Sequence, residues 1–332
     1  MAFLPSRDFL QEMTSRTWPE TQRKVSAYAH GNKSAESIIR TKDSYRLRKP
    51  VYSSVLSDRD RNAQGALADI TALSADTASI QFRTVNRLDD KVAQAQIDDD
   101  DVDYVAGLGV SLEGMRSDIS RKLSEWADDT FWTAALGSIP AAQETALGAG
   151  GGYDISRGRF GADDAAEIAA GKAIYDFVQD IPLMIANANI DPATGLTDTT
   201  SNIAVEMPPA GLAAVIKFML DEWGSTDEIV TQGIDRTGAR SSERWRGEFK
   251  NTVSAFVNTQ SSFKPTAVGT ANGHIVALQS GVTYDSPMKL SSLLYSGPDG
   301  NTVKHTMNQR IHLWYALVAE DRIWAKNFDS VA

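Results

Sequence analysis

The sequence predicts an α+β protein, with helices grouped in the middle of the chain and strands on both sides of them. Three observations carry that reading. Apolar residues recur at intervals of three and four only between about residues 111 and 223. The segments before and after alternate with a period of two, or form short runs rich in β-branched and aromatic residues. Neither a repeat at a solenoid period nor a series of parallel β–α–β units is present.

Taken in order, residues 1 to 50 mix basic, polar and small residues, with Pro5, Pro19, Gly31 and Pro50 interrupting any periodicity; an extended arm with at most one short helix is expected. Such an arm lacks a core of its own and needs something to hold it. ASIQFRTV (78 to 85) alternates, with Ile80, Phe82 and Thr84 on one face, and VAQAQI (92 to 97) alternates more weakly. Two strands joined across NRLDDK are expected there. GVSLEGMRSDISRKLSEWADDTFWTAALG then reads as a long helix over about 111 to 136. Leu112, Met115, Ile119, Leu123, Trp126 and Thr130/Phe131 form its apolar stripe, and Glu113, Arg116, Arg121, Lys122, Glu125 and Asp128 its polar face. Ser111 suits its N-cap and Gly137 its end. Twenty-six residues at about 1.5 Å each make a rod of roughly 39 Å.

A glycine-rich loop follows, then a helix capped near Asp163 and closed by Pro182. SNIAVEMPPAGLAAVIKFMLDEW predicts a strand, a Pro-Pro break and a helix burying Leu212, Val215, Ile216, Met219 and Trp223. Beyond Gly224, EIVTQGI, GEFKNTVSAFVNT and GHIVALQSGVTY are strand-like, and RIHLWYALVAEDRIWAKNF predicts a closing strand pair.

The composition excludes several classes. With 42% hydrophobic and 23% charged residues the 332-residue chain is globular, long enough for one large domain or two ordinary ones. No apolar run reaches the roughly 20 residues of a membrane helix, and MAFLPSRDFL lacks the pattern of a secretory signal, so a protein made inside the cell, with no membrane partner, is expected. Cysteine is absent, which removes disulfides and thiolate chemistry. The net charge of −10 is uneven: residues 1 to 50 hold ten Lys/Arg against five Asp/Glu, or +5, leaving −15 for the rest. A body of that sign does not neutralise phosphates.

Two charged constellations stand out. QIDDDDVDYVAG (96 to 107) puts Asp99, Asp101 and Asp103 at the alternate spacing of a calcium loop, but Tyr104 stands where the loop needs glycine and Val110 where it needs a bidentate glutamate. The run is a solvated acidic junction or a contact patch for basic residues of a neighbouring chain. GIDRTGARSSERWRGEFK (233 to 250) sets Arg236, Arg240, Arg244, Arg246 and Lys250 around Trp245, a composition that suits either nucleic acid or carboxylates of an adjacent subunit. Catalytic templates are missing. GLGVSLEG fails the dinucleotide fingerprint at Leu112, AAGKAI lacks the P-loop glycine and Ser/Thr, and no GxSxG or HExxH occurs. The histidines His30, His274, His305 and His312 are scattered, so a non-enzyme with no cofactor and no metal is expected.

Taken together, VAQAQIDDDDVDY leading into the helix that ends WADDTFWTAALG, then AVEMPPAGLAAVI, RWRGEFKNTVSAFVNTQ and RIHLWYALVAEDRIWAKNFDSVA, resemble in their order the major capsid proteins of tailed bacteriophages. The resemblance is to the Hong Kong 97 type of fold, and to podovirus-like coat proteins most. It covers most of the chain from about residue 76. It implies an N-terminal arm at 1–45, an extended loop region at 46–95, and a peripheral domain at 96–181 and 291–332 with a spine helix at 111–136. The axial domain would be 182–290.

What the resemblance implies for function is a coat protein that self-assembles into hexamers and pentamers of an icosahedral shell around double-stranded DNA. It would be assembled in the host cytoplasm and reside in the virion. Partners would be further copies of the chain, a separate scaffolding protein, a portal and a decoration protein, with packaged DNA nearby but not read in sequence. The candidate inter-subunit contacts are Asp98, Asp99, Asp100, Asp101 and Asp103, facing Arg46, Arg48, Lys49, Arg236, Arg240, Arg244 and Arg246. Some relatives cross-link a loop lysine to a neighbour's asparagine; Lys91 would be that lysine, but no motif marks an acceptor, so no cross-link is expected. The alternatives are an encapsulin-like nanocompartment shell enclosing protein cargo, and an enzyme with an unrecognised site.

Overall fold

The computed structural model describes residues 25–33, 44–51, 79–98, 108–148, 152–188, 202–223, 246–249, 253–265, 267, 273–299 and 302–331. The expected strand at 228–234 and most of the arm lie outside them. The fold is α+β, as the sequence predicts. Among the described residues four α-helices, α1 (Ser26–His30), α2 (Leu108–Gly137), α3 (Asp164–Ala188) and α4 (Pro209–Trp223), accompany three sheets.

The central sheet has six strands in the order β3 (Glu144–Ala146), β13 (Ile323–Phe328), β9 (Gly273–Gln279), β6 (Ile203–Met207), β8 (Val253–Val257), β7 (Arg246–Phe249). Its middle strands are apolar without alternation because both faces are covered. Ile203, Val205, Ile275 and Ala277 face α3 and α4, whereas Ala204, Val276 and Leu278 belong to the core around α2. β6 and β8 are parallel neighbours on either side of α4, a single β–α–β crossover within an otherwise mostly antiparallel sheet. Complete burial of Phe131 and Phe263 in the α2 core contributes about 1.5–3 kcal/mol each.

A second sheet is built on long strands: β1 (Ser44–Val51), β2 (Ser79–Asp98), β11 (Met288–Asp299) and β12 (Thr302–Leu317), with β10 (Tyr284–Asp285) at one end. β12 runs between β2 and β11, and buries Met307, Ile311 and Leu313 against α2. A small third sheet joins β14 (Ser330–Val331), β4 (Tyr153–Asp154) and β5 (Arg159–Phe160).

Several expectations are corrected. NRLDDK is not a turn: β2 is one strand of 20 residues, because pairing with β12 holds the segment extended in spite of its Asn and Asp residues, with Leu88 taken up as a bulge. Ser111 is not the N-cap, since α2 begins at Leu108. The polar face of α2 is interrupted, for Arg116 and Asp128 are buried. The closing pair is not a pair: its first strand is the end of β12 and its second is β13, and they lie in different sheets. The β11–β12 hairpin, spread over a polar stretch, was not foreseen.

Asp163 does cap α3, its Oδ1 accepting the Ala166 amide at 2.8 Å. Pro182, however, does not close the helix, which continues to Ala188. Burial of Ile181 and packing of Met184 outweigh the backbone donor that proline withdraws. Pro182→Ala is therefore expected to stabilise the subunit by on the order of 1 kcal/mol, read as a higher urea midpoint with unchanged slope.

Candidate functional site

Seven of the twelve expected contact residues, Asp99, Asp100, Asp101, Asp103, Arg236, Arg240 and Arg244, lie outside the described residues. Of the others, Arg246 opens the edge strand β7. Arg46, Arg48 and Lys49 share β1, which pairs antiparallel with the first eight residues of β2, Ser79 to Asn86. From Val85 back to Ser79, β2 has no other partner among the described strands, so β1 and β2 form a two-stranded ribbon leaving the sheet at Asn86, which also pairs with Tyr315 of β12. Neither strand of that ribbon holds an acidic residue, while Arg46, Arg48, Lys49 and Arg83 are all cationic, and Arg46 is exposed.

Asp98 ends the same strand β2. Between it and Thr84, the partner of Arg46, lie fourteen steps of strand, a contour of roughly 45 Å at about 3.3 Å per residue. The basic ribbon and the entry to the acidic run thus stand at opposite ends of one strand.

At the root of the ribbon sits a charged cluster. Arg87 Nη2 is 2.9 Å from Asp90 Oδ2, Arg310 Nε donates to the same oxygen at 2.9 Å, and a second Arg310 nitrogen also meets it. Hydrogen bonding from Arg310 holds the Asp90 carboxyl below the usual range for an aspartate, against a modest opposing effect of burial. Arg87 Nη2 also donates to His312 Nδ1 at 3.0 Å. Burial, and then the positive charge of Arg310 and Arg87, push the His312 pKa down. Trp314 stacks near both His312 and Tyr45, with ring centroids at 5.9 and 5.8 Å.

The second arrangement is one that the sequence reading missed. Residues Val25 to Asn32, expected to belong to an arm without a core, are seated inside the subunit. Asp128 Oδ1 accepts the Ser26 hydroxyl and the Ala27 amide, both at 2.9 Å. Trp132 Nε1 donates to Ser26 Oγ at 2.6 Å, and Asn258 Nδ2 donates to Ser26 Oγ and to Glu206 Oε2. His30 Nε2 lies 2.9 Å from Glu206 Oε1, with the ring edge-on to Phe256 at 5.0 Å. Tyr284 donates to the Ala27 carbonyl at 2.9 Å, and the amide of Gly281 to that of His30 at 2.7 Å. Gly31 is required here, because a Cβ would meet Ser286 Oγ at 1.7 Å. A signal for this seat exists in α2: Ser120, Ser124, Asp128 and Trp132 recur every fourth residue, and all four are buried.

Of the remaining histidines, His305 is buried in β12, and His274 Nδ1 lies 3.0 Å from the Ser262 carbonyl. Lys91 stands on β2 with its ammonium 5.7 Å from the Trp126 ring. Among the described residues no three His, Asp or Glu side chains are grouped to hold a metal ion, and no helix is long and apolar enough to cross a membrane.

No family model matches the sequence, and no curated protein matches it. Solved structures do resemble it. A chain from Mycobacterium phage Che8 superposes with a TM-score of 0.50 at 14% identity, covering 91% of this chain and 90% of its own. A chain of the capsid of the cyanophage P-SCSP1u does so with a TM-score of 0.51 at 11% identity, covering 91% and 86%. The long helix beside a rod-like sheet, with a six-stranded sheet under two further helices, is the fold of phage capsid proteins. More narrowly, it is the α+β fold of the Hong Kong 97 type that the sequence motifs resemble.

Proposed function

We propose that this chain is the major capsid protein of a tailed phage, self-assembling into hexamers and pentamers of an icosahedral shell around double-stranded DNA. The observation that carries the reading is a likeness in fold to a cyanophage capsid chain over nine-tenths of the residues. The ribbon supports it. A two-stranded extension bearing only cationic charge gains little from its own subunit, and it is suited to a second copy of a chain whose net charge is −10.

In this reading 1–45 is the N-terminal arm, 46–95 the extended loop region, 96–181 with 291–332 the peripheral domain around the spine helix, and 182–290 the axial domain. Arg46, Arg48 and Lys49 on the ribbon, with Arg236, Arg240, Arg244 and Arg246, meet the acidic stretch from Asp98 to Asp103 of neighbouring copies. The protein acts as a virion component, not an enzyme, with a scaffolding protein, a portal and a decoration protein as partners and the host cytoplasm as the place of assembly.

The test is electron microscopy of the protein expressed with its neighbouring phage genes. Closed shells of hexamers and pentamers holding DNA are expected, and neutralising Asp99, Asp100 and Asp101 together should lower particle yield. A monodisperse monomer at high concentration, or shells filled with protein cargo in place of DNA, would overturn the reading.

A further inference from the structure

The root of the ribbon has the parts of a switch. β2 and β12 lose register between Leu313 and Trp314, where Leu88 is extra, and such a bulge bends and locally frees a strand. On the ribbon side of the bulge stands Arg87, and on the sheet side Asp90; Arg87 Nη2 ties them together and also reaches His312 on β12. We propose that Arg87, Asp90, Arg310 and His312 form a clamp that fixes the ribbon to the sheet while His312 is neutral, and that protonation of His312 opens it.

The chemistry follows from what each nitrogen can do. His312 Nδ1 accepts from Arg87 at 3.0 Å, and an imidazole nitrogen accepts only while unprotonated, so the ring carries its proton on Nε2. Adding a proton turns Nδ1 into a donor and destroys the bond. The new imidazolium also faces three cations from every strand around it: Arg87 on β2, Arg310 on β12 and Lys289 on β11. Among the described residues the one anion facing it is Asp90, whose Oδ2 stands 4.0 Å from Nδ1 and already serves both arginines. The charged ring therefore competes with Arg87 for Asp90, and Arg87 is the member that leaves, since it alone sits on the far side of the bulge. Asp89 stays out of the exchange, as its Oδ1 accepts the Asp90 amide at 2.7 Å.

The sign is determined. The folded-state pKa of His312 lies below the ordinary value of 6.5, so the clamp is fully present above about pH 6.5 and is lost as the pH falls below that value. Asp90 is also depressed, and its contribution persists until the pH falls below its ordinary value of 3.8. Between those limits only His312 changes state within the clamp.

Hydrogen exchange of the unassembled subunit, followed by mass spectrometry at pH 7.5 and 5.5 and corrected for intrinsic rates, tests this. Protection in 44–51 and 79–87 is expected to fall several-fold on acidification, while protection of the central sheet is unchanged. His312→Gln keeps an acceptor oxygen but cannot be protonated, and should show no pH-dependent loss in those two segments. Nitrogen shifts of His312 in the unmodified protein give a reading that needs no variant: the Nε2–H tautomer at neutral pH with a midpoint below 6.5. Ribbon protection independent of pH, an equal loss in the variant, or a charged His312 at neutral pH would each overturn the clamp. The test uses single subunits, so its outcome is separate from that of shell assembly.

Discussion

Replacing Asp128 by alanine should cost the subunit about 3 kcal/mol, as judged by urea unfolding followed through tryptophan fluorescence. The carboxylate is buried, and it is the acceptor for both the Ser26 hydroxyl and the Ala27 amide. Alanine leaves those two donors without it in a dry site, at about 1–3 kcal/mol each. Relief from burying a charge offsets part of this, but breaking one side of a buried charged network still costs about 3–5 kcal/mol in net terms.

Asp128→Asn keeps an oxygen where Oδ1 stands and should lose roughly 1 kcal/mol, the difference between a charged and a neutral acceptor. Ser26→Ala combined with Asp128→Ala should cost less than the sum of the two, since both remove the same bond. A further readout is cleavage by trypsin after Lys33, which lies one residue beyond the seated segment and should become faster. An alanine variant as stable as the parent would mean that the seat does not hold Val25 to Asn32.

That seat also shows where sequence reading stopped. The periodicity of α2 located Ile119, Leu123 and Phe131 correctly, because an apolar stripe is a local signal. Asp128 was assigned to the solvent face because a lone carboxylate is usually there, and only a partner some hundred residues away in sequence reverses that preference. The same holds for β2. Its halves alternate, but its middle is held in strand form by β12, more than two hundred residues later, where Asp90 stands opposite His312 and binds Arg310. By contrast the strand, Pro-Pro break and helix from Ile203 to Trp223 were legible almost to the residue, since proline chemistry and the 3.6-residue period act within a few positions. Half of the ribbon, 78 to 85, is visible as alternating residues, whereas β1 falls in a stretch whose prolines and small residues predict only an extended arm. The pairing of the two is not visible, because two strands separated by 27 residues carry no turn signal between them.

Gly171→Ala is expected to destabilise by about 2–3 kcal/mol, although alanine is intrinsically the better helix residue by about 1 kcal/mol. The reason is the crossing of α3 over α4. A Cβ on residue 171 would lie 2.0 Å from the Ala214 carbonyl oxygen and 2.5 Å from its carbon. Both are backbone atoms, so no rotamer change can clear them, and the helices must move apart by more than an ångström. Trimming the neighbouring side chain should not help: Ala214→Gly leaves the same carbonyl in place, and the double variant should remain as unstable as Gly171→Ala.

The separation has a second signature. Lys217, on α4 beside the crossing, donates to Asp164 Oδ1 at 2.6 Å and to Glu167 Oε2 at 2.8 Å on α3. Hydrogen bonding from Lys217 holds the Asp164 carboxyl below the ordinary aspartate range. If the helices part, that bond lengthens and the Asp164 titration should move back toward 3.8, which carboxyl carbon shifts would record. A stable Gly171→Ala protein with an unmoved Asp164 would show that the two helices have slack at their closest approach, contrary to the tight packing that interiors normally have.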